Sequence, residues 1–108
     1  MSEVKHTPAI TDYVFGPLKV RVQGLGVYTG GEHLRAACDK LSVSDLRAAN
    51  TAAWKEKRAA ARQANRVANA TLHGCTPHDR ACQRFDVAEV VCRETWKRIA
   101  KAEGGSHG

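Results

Sequence analysis

The chain has 108 residues, the length of a single domain with one core. Its apolar share of 43% argues against global disorder, its aromatic share of 6% against a bulky core, and no stretch approaches the ~20 apolar residues that span a bilayer. Net charge is +6 and uneven: residues 44–102 carry twelve Lys/Arg against six Asp/Glu, residues 1–43 five against four. Such an excess suits phosphate backbones or acidic protein faces, and it serves solubility as well.

Residues 1–12 read as a flexible lead. The stretch Met1 to Phe15 lacks the apolar segment of a secretory signal and is interrupted by Pro8. The expectation is a cytoplasmic protein in which Cys38, Cys75, Cys82 and Cys92 are thiols rather than two disulfides.

Residues 13–29 read as a β-hairpin. Leu18, Val20 and Val22 alternate with Lys19, Arg21 and Gln23, the period of a half-buried strand. Gly16-Pro17 marks a break before it. Gly24-Leu25-Gly26 offers a turn, and Val27-Tyr28 a return strand. A lone hairpin is marginal, so it must pack on helices, pair with a third strand at Tyr13–Phe15, or join a partner's sheet. Residues 32–41 read as a short helix with Leu34, Ala37, Cys38 and Leu41 on one side. Cys38 and Cys92 read as small core residues.

A long helix is expected over residues 44–72, capped by Ser42 or Ser44. Ser42 and Asp45 have the spacing of a capping box. Ten Ala between Ser44 and Leu72 favour the helix. Leu46, Ala49, Ala53, Ala60, Ala64, Val67 and Thr71 share one side. Arg47, Lys55, Arg58, Arg62 and Arg66 fall within an arc of about 100° on the other, with Trp54 at its edge near Arg58. The indole is either peripheral core or a surface for a base or a guanidinium. Glu56 is the only acid between Asp45 and Asp79, whereas a merely solvating face mixes signs.

Gly74 ends this helix. Thr76 caps the next, with Pro77 at its first position and Asp79 able to return a hydrogen bond. It is expected over residues 77–102, with a tail at 103–108. Ala81, Phe85, Ala88, Cys92, Trp96 and Ile99 share one face, and Val87, Val90 and Val91 make a second apolar patch for the first helix, the hairpin or a partner chain. Joined by a short loop, the two long helices pair antiparallel. The fold class is α+β, predominantly helical, as a single domain: a short N-terminal β-hairpin, one short helix, then a long antiparallel helical hairpin.

Two resemblances are carried by short strings. His6-Thr7-Pro8 resembles the opening of small phage reading frames that begin His-Thr-Pro-Gly-Pro-Trp, with Ala9 as the departure; it implies a viral or mobile-element origin. Over residues 38–54, Cys38-Asp39-Lys40-Leu41-Ser42-Val43-Ser44 resembles the centre of a helix-turn-helix. That implies a recognition helix headed by Asp45, Leu46, Arg47 and Asn50, with Arg and Asn suited to base edges. Ser42 stands where the motif has Gly, Ala48 and Thr51 where it has large aliphatics, and the second helix is longer than a recognition helix. A Ser-capped helix–loop–helix corner fits the same residues.

His73, Cys75, His78 and Cys82 are a donor set for zinc, but crowded into ten residues with no finger spacing. A Cys75–Cys82 bridge is the alternative in an oxidising compartment, and a plain interhelix loop the reading that needs neither. The expectation is no metal and no cofactor. Glu89 and His33 are isolated, no Ser or Cys is matched to a His and an orienting acid, and no Gly-Lys-Ser/Thr follows the paired glycines. The sequence therefore reads as a non-enzymatic binder of nucleic acid, using Arg47, Trp54, Lys55, Arg58, Arg62 and Arg66. Two alternatives stand beside it. One is a phage-type inhibitor, such as an anti-CRISPR, docking on an acidic host protein or nucleoprotein surface; the other is a homodimer or larger oligomer packed through Val87, Val90 and Val91. No membrane partner is expected.

Overall fold

The computed structural model describes residues 10–24, 27–70 and 76–104, and the side chains of all these except 67–70 and 76–79. Two strands, β1 (Ile10–Phe15) and β2 (Leu18–Gln23), precede three helices: α1 (Glu32–Asp39), α2 (Val43–Ala70) and α3 (Thr76–Gly104). The architecture is α+β and mainly helical, with a two-stranded hairpin followed by a long antiparallel helix pair.

The hairpin differs from the expected one. β2 alternates as its sequence dictates, with Leu18, Val20 and Val22 buried and Lys19, Arg21 and Gln23 exposed. Its antiparallel partner is β1, paired from Phe15↔Leu18 out to Ile10↔Gln23, so the strand at Tyr13–Phe15 that the sequence offers as an option is the one that pairs. The turn joining the two strands is Gly16-Pro17, and Val27-Tyr28 is not a strand; Leu25 and Gly26 of the expected turn lie outside the described residues. The strand also starts at Ile10, inside the stretch expected to be a flexible lead. Gly16 lies at φ +60, a conformation that favours glycine. A Cβ there would also meet the Ala48 carbonyl oxygen at 3.3 Å, because the hairpin tip rests on α2. On the outer face Asp12 sits directly opposite Arg21 and accepts from its Nε at 2.8 Å. That pairing holds the exposed Asp12 carboxyl below its ordinary range.

The inner face of the hairpin supplies Phe15, Leu18, Val20 and Val22 to the core. Tyr13 adds a polar fastening: its hydroxyl donates to Gln83 Oε1 at 3.1 Å, and Gln83 Nε2 donates to the Gly24 carbonyl at 2.6 Å. Gln83 is thus buried with both ends of its amide satisfied. The connection to α1 passes close over α3. Gly30 lies at φ +84, and a Cβ on it would stand 2.8 Å from Val90 Cγ1. Leu34 and Cys38 of α1 are buried. Arg98 of α3 clamps the end of α1, donating to Asp39 Oδ1 at 2.6 Å and to Glu94 Oε1 at 2.9 Å.

Ser42 is the cap of α2: its Oγ accepts from the Asp45 amide at 3.1 Å. The reciprocal bond of a capping box is absent among the described residues. The α2–α3 seam is built from small residues. Ala49, Ala53 and Ala60 of α2 and Ala88 of α3 have no exposed surface, which lets the backbones approach closely. Polar ties cross it. Asn50 Nδ2 donates to the Cys92 carbonyl at 3.1 Å and to Thr95 Oγ1 at 3.0 Å, and Thr95 donates in turn to the Val91 carbonyl at 2.6 Å.

The α3 face is wider than its sequence suggests. Val87, Val90 and Val91 are as buried as Ala88 and Ile99, so these valines are internal core and not a surface for a second chain. The buried arc spans about 200° of the helix, because α2 covers one side while the hairpin and α1 cover the other. Trp96 falls just outside it and is 60% exposed, a correction to its placement on the packed face. Thr71 and the Thr76 cap with Asp79 lie outside the described residues or side chains, as does the side chain of Val67. No helix among the described residues is long and apolar enough to cross a membrane.

Candidate nucleic-acid interface

Arg47, Lys55, Arg58, Arg62 and Arg66 are all exposed, on the side of α2 opposite the alanines that pack. Arg47 is separated from the rest by an ion pair with Glu103 at the end of α3. Among the described residues no carboxylate pairs with Lys55, Arg58, Arg62 or Arg66. The reason lies in Glu56. It is half-buried on the inner side of α2 and held there by Arg84 of α3, whose Nε and Nη2 both donate to it while Nη1 donates to Gln63 Oε1 at 2.5 Å. The fork geometry suits guanidinium to carboxylate, and the hydrogen bond raises the Arg84 pKa further above its ordinary value. The one mid-helix acid of α2 is therefore engaged within the fold.

Beside this row, α2 and α3 enclose a groove of about 420 Å³. Cys92 and Asn50 are its buried and half-buried members, and the exposed rings of Trp54 and Trp96 line it from the two helices. Lys57 lies over the Trp54 ring at 4.8 Å and over Phe85 at 5.6 Å, close enough for cation–π attraction. Its ammonium is also 3.9 Å from Glu89. The cation that meets Trp54 is thus Lys57, three residues on, and not Arg58. Arg93 completes the lining, exposed and without an ion pair among the described residues.

From the sequence, Trp54 is open to two readings, peripheral core or a contact surface. At 46% exposed it is outside the buried core, and it lines the groove. Lys57, Arg93 and Trp96 line the groove and Arg84 holds Glu56; sequence reasoning assigns none of the four to the candidate site. Trp54/Lys57 and Arg93/Trp96 are i, i+3 pairs that the spacing displays, but only antiparallel packing brings the two pairs together.

The residues of the helix-turn-helix resemblance are mostly engaged internally. Leu46 is buried, Asn50 bonds to α3, and Arg47 pairs with Glu103. Of the zinc-type set, His73 and Cys75 and the His78 side chain lie outside the described residues; Cys82 is half-buried on α3. Burial pushes the Cys38 and Cys92 thiols above their ordinary value of 9.0, which suits inert core positions rather than nucleophiles. Compared with protein-family models, curated proteins and solved structures, the chain matches none of them.

Proposed function

We propose that this protein is a non-enzymatic nucleic-acid-binding protein that meets its ligand along the outer face of α2. Lys55, Arg58, Arg62 and Arg66 contact backbone phosphates, and sequence plays little part in recognition. The observation that carries this reading is the row of four exposed cations without counter-carboxylates among the described residues, with Glu56 turned inward onto Arg84. Charge laid out in this way is matched by a ligand of regularly repeating negative charge.

The test is the salt dependence of binding to labelled DNA and RNA. Four phosphate contacts give a slope of log K against log salt of about −3 to −4. Failure to bind any nucleic acid at low salt overturns the reading. An inhibitor that docks the same row on an acidic host protein behaves differently: it ignores bare nucleic acid yet survives nuclease treatment in a pull-down from host lysate.

A further inference from the structure

We infer that the groove between Trp54 and Trp96 is a base-stacking site, which makes the ligand of this protein a single-stranded nucleic acid. The inference rests on the proposal that the cation row binds phosphate, and it narrows the substrate class.

The chain has two tryptophans, and both stand on the same groove, exposed by 46% and 60%. Tryptophan is ordinarily mostly buried, so two half-open indoles brought together from separate helices call for an occupant. The volume, about 420 Å³, falls within the ~300–1,000 Å³ of sites that take a small organic group. The charges around the rings choose its chemistry. Arg93 lines the groove without an ion pair among the described residues, and Lys57 stands over the Trp54 ring. Glu89 is the one acid in the lining, and it faces Lys57 at 3.9 Å. The cation row begins next door: Arg58 is one helical turn beyond Trp54 and only about 40° around the helix from it.

Flat π-faces among cations, at the head of a phosphate-binding row, match a strand whose bases are free to leave their own stack. A duplex keeps its bases stacked internally and offers none to these rings. A plain apolar peptide would fill the indoles and leave Arg93 and the row unmatched. Asn50 Nδ2 is committed to Cys92 and Thr95, so the groove floor is not set up to read a base edge through that group. Stacking without edge recognition gives a sequence-tolerant site.

Fluorescence excited at the red edge, where Tyr13 and Tyr28 do not absorb, reports on these two indoles alone, which makes the test direct. The probes are a short oligothymidylate, an abasic phosphodiester strand of the same length, and a duplex of that length. The expected result is fluorescence quenching by the oligothymidylate and not by the duplex. The oligothymidylate should also bind at least about fivefold more tightly than the abasic strand, since one stacked base strengthens binding about 5- to 150-fold. That preference disappears in Trp54→Ala/Trp96→Ala, with circular dichroism reporting the fold, and survives in Trp96→Phe, which keeps a ring. Equal, salt-dependent binding of thymidylate and abasic strands overturns the stacking site and leaves the cation row standing. Equal quenching and affinity with the duplex overturns the single-strand assignment. Binding by none of the three probes removes both proposals. The wild-type comparison among probes decides the matter even if the alanine variant does not fold.

Discussion

Arg84 of α3 holds Glu56 of α2 through two donors at once, Nη2 at 3.0 Å from Oε1 and Nε on the other oxygen. Both side chains are about one-third exposed, at 31%. The pairing joins the helices at a point where the seam is otherwise alanine. It also settles the electrostatics of the opposite side, because α2 has no other acid between Asp45 and the end of the helix. One ion pair thus serves stability inside and charge asymmetry outside.

Removing either partner strands the other. Arg84→Met leaves the Glu56 carboxylate half-buried without its donors and deprives Gln63 Oε1 of its own. The expected loss of stability is about 1–3 kcal/mol, read from urea denaturation. Glu56→Gln should cost a comparable amount, and the double variant should lose clearly less than the sum, because the two changes delete one interaction. Strict additivity would show that the pair is not coupled.

Cys92 is 6% exposed, between the seam and the base of the groove. A serine hydroxyl there would exchange a weakly polar sulfur for a group that needs a partner. Cys92→Ser is expected to lower stability by about 1–3 kcal/mol while leaving the salt slope of binding unchanged. An unaltered melting temperature would place this side chain in solvent.

Alkaline pH should weaken the fold. Burial raises the thiols of Cys38 and Cys92 above 9.0 and the phenols of Tyr13 and Tyr28 above 10.0. Each group therefore ionises first in the unfolded chain. Below the unfolded values both states hold the proton and stability is unaffected. Above them the unfolded state sheds protons that the folded state keeps, so stability falls as pH climbs from about 8.5 through the folded values. Denaturation midpoints that stay level from pH about 7 to about 10 would mean that these groups are as well solvated in the folded chain as in the unfolded one.

Much of this architecture is legible in the sequence because single elements obey local rules. The alternation of β2, the Ser42 cap and the alanine side of α2 need no knowledge of the rest of the chain. The partner of β2 is only one option among several, a strand at Tyr13–Phe15, because Gly16-Pro17 looks like a break. Glycine at positive φ followed by a proline of fixed φ instead makes a two-residue reversal. Periodicity likewise finds Val87, Val90 and Val91 but not what covers them, since that depends on where the hairpin and α1 come to rest. The pattern puts Trp96 inside for the same reason. A helix covered from two directions has a buried arc whose centre one-sided patterning cannot locate. The cation row can be read from α2 alone, whereas the groove beside it exists only where two helices meet.

The cation row itself gives the last prediction. Arg58, Arg62 and Arg66 follow one another at i+4, so their positions advance about 6 Å along α2 at each step. All three are exposed and have no ion pair among the described residues. Replacing them with alanine leaves the buried seam untouched and puts the best helix former at each site. Helicity by circular dichroism should be unchanged in the triple variant. Affinity for nucleic acid should fall on all sequences alike, and the salt slope should become shallower by roughly one unit for each phosphate no longer neutralised. The residual binding should reside in the groove and keep its preference for strands with bases over abasic ones. A folded triple variant with undiminished affinity and an unchanged slope would show that the phosphates lie elsewhere, and the outer face of the hairpin, where Lys19 and Arg21 share Asp12, would be the next surface to vary.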